Sequence, residues 1–271
     1  MKIGLAMGSL GILGILALAD CAGTSGSVSV SGTDPASLRA APAGTSIFVF
    51  MDLEGIRPDQ LQNAVPANLP ECVQAEAAGG TTTFSYNQCK AANSGVLTGT
   101  TAVTGPTAGT GGTQTYTQTF NLTVTTTLPG NATQVWTYTG SQLVTFNGAV
   151  ARVSLANPAA PIRAVFTDRA TPANNRTYAF TPSLTENTGD ATRLTMSGGY
   201  TLAGDNGDTI TGTISAGNPL VWIPTACKYP SSGALTLNLV GNAGTDQTTA
   251  SFASGCGNLN VGGATVALGG S

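Results

Sequence analysis

The chain predicts an all-β protein, an antiparallel β-sandwich or barrel-like body with a short helical insert near the N-terminus. Three observations predict it. Apolar and polar residues alternate with a period of two, threonine fills most of the polar positions, and glycine, proline and asparagine interrupt the runs at short intervals without long helical stretches between them. In TYTQTFNLTVT, for example, Tyr116, Gln118, Phe120, Leu122 and Val124 fall on one face, and Thr115, Thr117, Thr119, Asn121, Thr123 and Thr125 on the other. That pattern makes a strand with one dry face and one hydroxyl face.

Residues 21–46 are small, polar and glycine-rich, and they read as a flexible tether; SVSVS at 27–31 is the alternative, a first strand. IFVFMDL, residues 47–53, is continuously apolar and reads as a buried strand that ends at Gly55 and Pro58. PDQLQNAV and PECVQAEAAG, around Cys72, supply the helical insert. TTTFSYNQC follows as a strand, and the passage GVLTGTTAVTGPTAGTGGT holds a short strand before a loop ending at Thr113. Beyond TYTQTFNLTVT, a turn at 129–131 leads to QVWTYTG. Eleven further runs read as strands: SQLVTFNG, AVARVSLA, IRAVFTD, RTYAFTP, ATRLTMSG, GYTLAG, DTITGTIS, PLVWIP, GALTLNLVG, TASFASG and LNVGGATVAL.

Only 8% of residues are charged and the formal net charge is −3, so the folded surface is neutral and rich in hydroxyls. An ordinary soluble domain carries about 25% charged residues. Such a surface gives nucleic-acid phosphates no electrostatic reason to bind, and no nucleic-acid partner is expected. The alternating apolar runs separate the chain from low-charge disordered sequences.

The first twenty residues, MKIGLAMGSLGILGILALAD, carry one lysine and then an apolar run too short for the ~20 residues of a membrane span; they read as an export signal, residues 1–20. Leu18-Ala19-Asp20-Cys21 resembles the bacterial lipoprotein signal, with Asp20 where that signal takes a small residue. The resemblance implies a diacylglyceryl group on Cys21, further fatty acylation such as palmitate, and attachment to a membrane. Ala22 is not the aspartate that retains such proteins at the inner membrane, so the outer membrane is the expected site. The alternative is cleavage after Ala19 and a periplasmic or secreted product. Acylation of Cys21 leaves Cys72, Cys89, Cys227 and Cys256, the number that two disulfides need; Cys72–Cys89 and Cys227–Cys256 close the shortest loops.

CKAANSGVLT at Cys89 and CKYPSSGALT at Cys227 match at six offsets. The body, 47–271, is therefore either one domain or two related halves, 47–112 and 113–271.

Catalysis finds few candidates. The chain has no histidine, so a serine or cysteine relay lacks its usual base. Lys90 and Lys228 sit in polar turn sequence and read as solvated. Asp52, Glu54 and Asp59 are the candidate paired carboxylates of a polysaccharide hydrolase, although capping a helix outranks that role. Asp205, Asn206 and Asp208 in GDNGDT offer oxygen ligands to a metal, but Asn206-Gly207 reads first as a two-residue hairpin turn. Trp136, Tyr138 and Trp222 would stack on glycans if exposed, and belong to the core otherwise. No cofactor is expected. These readings converge on a non-enzymatic envelope or surface lipoprotein with a structural or adhesive role, meeting a membrane through its lipid and glycans or other envelope proteins through its body. A glycan-binding module, a hydrolase and a lipid carrier are the alternatives.

Overall fold

A computed structural model of the chain describes residues 42–54, 71–91, 95–108, 112–127, 131–190, 193–223, 229–241, 244–252 and 258–267. Among these residues it contains one α-helix, α1 (Pro42–Glu54), a single 3-10 turn at Pro172–Asn174, and fifteen antiparallel strands that make a single sheet. The strands are β1 (Val73–Ala78), β2 (Thr81–Lys90), β3 (Val96–Ala108), β4 (Gln114–Thr127), β5 (Thr133–Asn147), β6 (Val150–Leu155), β7 (Ile162–Asp168) and β8 (Arg176–Asn187). They continue with β9 (Leu194–Gly204), β10 (Thr209–Ile214), β11 (Leu220–Trp222), β12 (Gly233–Gly241), β13 (Gly244–Phe252), β14 (Asn258–Val261) and β15 (Ala264–Ala267).

The sheet is a meander in which each strand pairs beside its predecessor in sequence, with two interruptions. β6 and β7 lie end to end between β5 and β8, and β10 and β11 lie end to end beside β9. Conversely, QVWTYTG and SQLVTFNG are one strand, β5, and ATRLTMSG and GYTLAG are one strand, β9. Their glycines do not end the strands. Gly140 and Gly198 have φ of 135° and 108°, and a Cβ on Gly140 would sit 2.9 Å from Ile162 Cα, where β7 begins. Both are positions of close backbone approach inside a strand, a role only glycine fills.

IFVFMDL is not a strand. It is the centre of α1, with Ile47, Val49, Phe50 and Leu53 shut away from solvent. A helix that buries most of its side chains is apolar over most of its surface, and its sequence has the same continuous character as a buried strand. Pro42 occupies the first helical position, where its fixed φ suits the start and its missing N–H costs nothing. The helix takes in residues 42–46, which the sequence reading assigned to the tether.

PECVQAEAAG is likewise not helical: Val73–Ala78 is the strand β1, paired with β2 from Val73↔Tyr86 to Ala78↔Thr81. Strand pairing and the neighbouring bridge override the helix preference of its alanines and glutamate. The Cys72–Cys89 disulfide forms as expected, with its Cα atoms 5.2 Å apart. Cys21, Cys227, Cys256 and PDQLQNAV lie outside the described residues.

The sheet curls around α1. Five strand spacings separate β5 from β12, about 24 Å if flat, yet the helix meets β5 through Asp52, β9 through Ser46 and Phe50, and also touches β10 and β12. A helix roughly 10 Å across reaches all four only if the sheet bends over it. The core lies on this concave side. Tyr116, Gln118, Phe120, Leu122 and Val124 all face it from β4, as the alternation predicts.

Candidate functional site

The convex face carries the regularity that alternation alone implies only strand by strand. Pairing registers Thr81, Thr104, Thr117, Leu143, Ser154, Ser183, Gly199, Thr213, Thr236 and Thr249 into one row across ten strands, with hydroxyls at eight positions. Neighbouring hydroxyls bond across strands: Thr81 to Thr104 at 2.9 Å, Thr119 to Ser141 at 2.9 Å and Thr115 to Thr145 at 3.4 Å. Each hydroxyl has one donor and two acceptor sites, so these pairs keep capacity for an external partner. No charged side chain falls in the row; Arg152 and Arg163 stand outside it on the same face.

On the concave side, side-chain bonds fasten α1 to the sheet at two places. Tyr138 donates to Asp52 Oδ2 at 2.6 Å, the length of a hydrogen bond to an ionised acceptor. The Ser46 and Tyr200 hydroxyls meet at 2.8 Å, and the Phe50 ring stacks on Tyr200 with centroids 5.1 Å apart. Burial pushes the Tyr200 phenol far above its ordinary pKa, with the Ser46 bond opposing. Burial also raises Tyr178 and Tyr86, each to about 12.

The residues singled out in the sequence separate accordingly. Asp52 and Tyr138, candidates for different roles, are brought together as a fastening inside the core. The Glu54 side chain and Asp59 lie outside the described residues. Trp136 and Trp222 are only 1% and 6% exposed and Tyr138 is fully closed in, so none of the three rings is presented at the surface to stack on a sugar. Trp136 instead packs on Phe166 with centroids 4.8 Å apart.

In GDNGDT, the hairpin has three loop residues, Asp205, Asn206 and Gly207, closed by Gly204 N–H to Asp208 O at 2.7 Å. Gly207, at φ 88°, takes the left-handed position after the turn, which corrects the two-residue reading. The carboxylates serve the turn: Asp205 accepts from Thr177 N–H at 3.0 Å and Asp208 from Asn206 Nδ2 at 2.7 Å. Among the described residues, no three of histidine, cysteine, aspartate and glutamate gather around a common point.

Sequence reasoning passed over a set of buried polar residues on the β4–β5 inner face. Gln142 Nε2 donates to Gln118 Oε1 at 3.1 Å, and neither Gln142 Oε1 nor Gln118 Nε2 has a partner. Thr126 Oγ1 and Gln134 Oε1 are also enclosed without partners. The signal was present: Gln118, Gln134 and Gln142 each fall in the apolar phase of an alternating strand.

No protein-family model, no curated protein and no solved structure matches the chain.

Proposed function

We propose that the chain is a non-enzymatic lipoprotein of the bacterial envelope, held by a lipid on Cys21, whose convex hydroxyl face makes structural or adhesive contacts. The observation that carries this reading is the uncharged hydroxyl row running through ten paired strands. A row with aligned donors and acceptors and no formal charge suits hydrated neutral material such as glycan. The outward threonines are the reverse of a membrane-spanning barrel, whose outer band must be apolar. A lipid carrier is less well supported, because α1 and the aromatic side chains occupy the concave side.

Two measurements test it. Fatty-acid labelling of the expressed protein should vanish in Cys21→Ser; persistent labelling refutes attachment there. Cells displaying the triple variant Thr104→Lys, Thr117→Lys, Thr213→Lys should adhere less to glycan-coated surfaces than cells displaying the unaltered chain at equal level. Equal adhesion removes the contact role of the row while leaving the anchor standing.

A further inference from the structure

The hydroxyl row on the convex face is one of a pair. Two residues further along each strand, a second row runs parallel to it about 6.8 Å away. From β2 to β5 it holds Thr83, Thr119 and Ser141, and from β8 to β10 it holds Thr181, Thr201 and Thr211. Beyond them Gln247 on β13 donates to Asn238 on β12 at 2.8 Å. The junction of β6 with β7 interrupts this second row. Every member of both rows is uncharged. Arg152 on β6 and Arg163 on β7 are exposed and stand one row outside the pair, on opposite sides.

These features choose among occupants. A protein partner is poorly matched, because the core of such an interface needs apolar and aromatic anchors, and Leu143 is the one large apolar side chain in either row. A neutral polysaccharide brings no charge that the rows would have to neutralise, and its hydroxyls exchange donors and acceptors with threonine and serine. The spacing also agrees. Adjacent strands lie about 4.8 Å apart, and on a convex face the side-chain tips spread a little wider. A sugar ring in an extended β-1,4-linked chain advances by close to that distance, so a chain laid across the sheet meets one strand per ring. Its rings carry hydroxyl groups along both edges of the chain, one edge for each row. Along a strand the same groups recur only every ~6.8 Å, out of step with the sugars. The rows turn with the sheet twist, about 20–25° per strand, and rotation about the glycosidic bonds follows such a turn. We propose that the paired rows form a track for an extended, uncharged β-linked glucan lying across the strands, a reading that rests on the contact role inferred above for this face. The track runs from β2 to β13. Binding is therefore the sum of many weak contacts and grows with the length of the glycan.

The test runs the full chain, in detergent, through native gels that contain soluble mixed-linkage β-glucan, with a polyuronate gel in parallel. The β-glucan should retard the protein and the polyuronate should not. Cellotetraose, too short to follow the track, should need about tenfold more sugar or more to reverse the retardation than the polymer needs to cause it. Thr119→Val combined with Thr211→Val removes a hydroxyl from each half of the second row and should weaken retardation about tenfold. Thr123→Val combined with Thr137→Val, on the same face but outside both rows, should leave it unchanged. Valine keeps the strand preference, and equal thermal unfolding of the variants confirms that they fold. No retardation of the unaltered chain by β-glucan overturns the proposal, as does equal weakening by the two pairs of substitutions. Competition by cellotetraose at the polymer's own sugar concentration replaces the track with a single short pocket. Retardation by polyuronate that matches or exceeds that by β-glucan makes Arg152 and Arg163 the binding groups and overturns it as well. If β-glucan fails while adhesion still depends on Thr104, Thr117 and Thr213, the contact role stands and only this ligand class falls.

Discussion

The concave side of the sheet is two surfaces with different chemistry. From β8 to β12 it presents Phe180, Leu202, Ile210, Leu235 and Leu237, and the apolar helix α1 lies against it, fastened by Ser46 and Phe50 to Tyr200. Along β4 and β5 the same side carries Thr126, Gln118, Gln134 and Gln142 among its aromatics, and their bonds are mutual or unmade. The first half gains mainly by removing apolar area from water, about 25 cal/mol per Å², although it also encloses the Ser46–Tyr200 bond and Glu186. The second half must satisfy directional groups, and each failure is costly. The helix half should therefore hold most of the stability, and the amide half most of the sensitivity to which single atom is changed.

The largest test of that contrast is Phe50→Ala. The ring is 1% exposed and stacked on Tyr200, so its loss should cost about 3–5 kcal/mol in urea unfolding. A cost below about 1 kcal/mol would mean the sheet does not depend on its helix.

In the amide half the expected behaviour is non-additive. Gln142→Leu alone strands the Gln118 amide and should cost about 1–3 kcal/mol. Combined with Gln118→Leu, which removes the stranded partner, most of that loss should return. Additive losses would show that the two glutamines are not a closed pair.

Alkaline pH separates the halves by a different route. Tyr178 and Tyr86, at about 12, and Tyr200, higher still, all have folded pKa values above the ordinary phenol near 10. Between about pH 10 and 12 the unfolded chain therefore binds fewer protons than the folded one, and stability falls as pH rises. The urea midpoint should hold steady up to about pH 9.5 and decline above it, with Tyr200→Phe, on the helix side, blunting the decline. A midpoint that is flat to pH 12 would place these phenols in contact with solvent.

The smallest effect is expected on the convex face. Thr119→Val removes a hydroxyl bonded to Ser141 but leaves an exposed, strand-forming side chain, so stability should change by no more than about 0.5 kcal/mol. A loss above 1 kcal/mol would make the hydroxyl rows part of the scaffold rather than a surface for contact.

Much of this architecture is legible in the residues. Alternation in TYTQTFNLTVT assigns each side chain of β4 to its face, and turn residues delimit most of the other strands. Pairing by loop length identified Cys72–Cys89. The misreadings have physical causes. Gly140 and Gly198 are strand positions that look like turns, because the same lack of Cβ serves both. Gln118 was placed on the dry face correctly, yet its importance depends on what stands across from it. The helix was missed because the one polar residue of IFVFMDL, Asp52, is too little to reveal a period.

The amino-acid sequence alone determined most of the strands after Thr113, which side of each faces water, and that the exposed side would be neutral and hydroxylated. Those properties follow from a two-residue period that is local to each segment. Only the tertiary structure decided that α1 fills the concavity, that threonines from separate strands line up across the sheet, and that Thr126, Gln134 and Asp168 stand in one register. Those facts depend on register and curvature, relations between distant segments that no local period encodes.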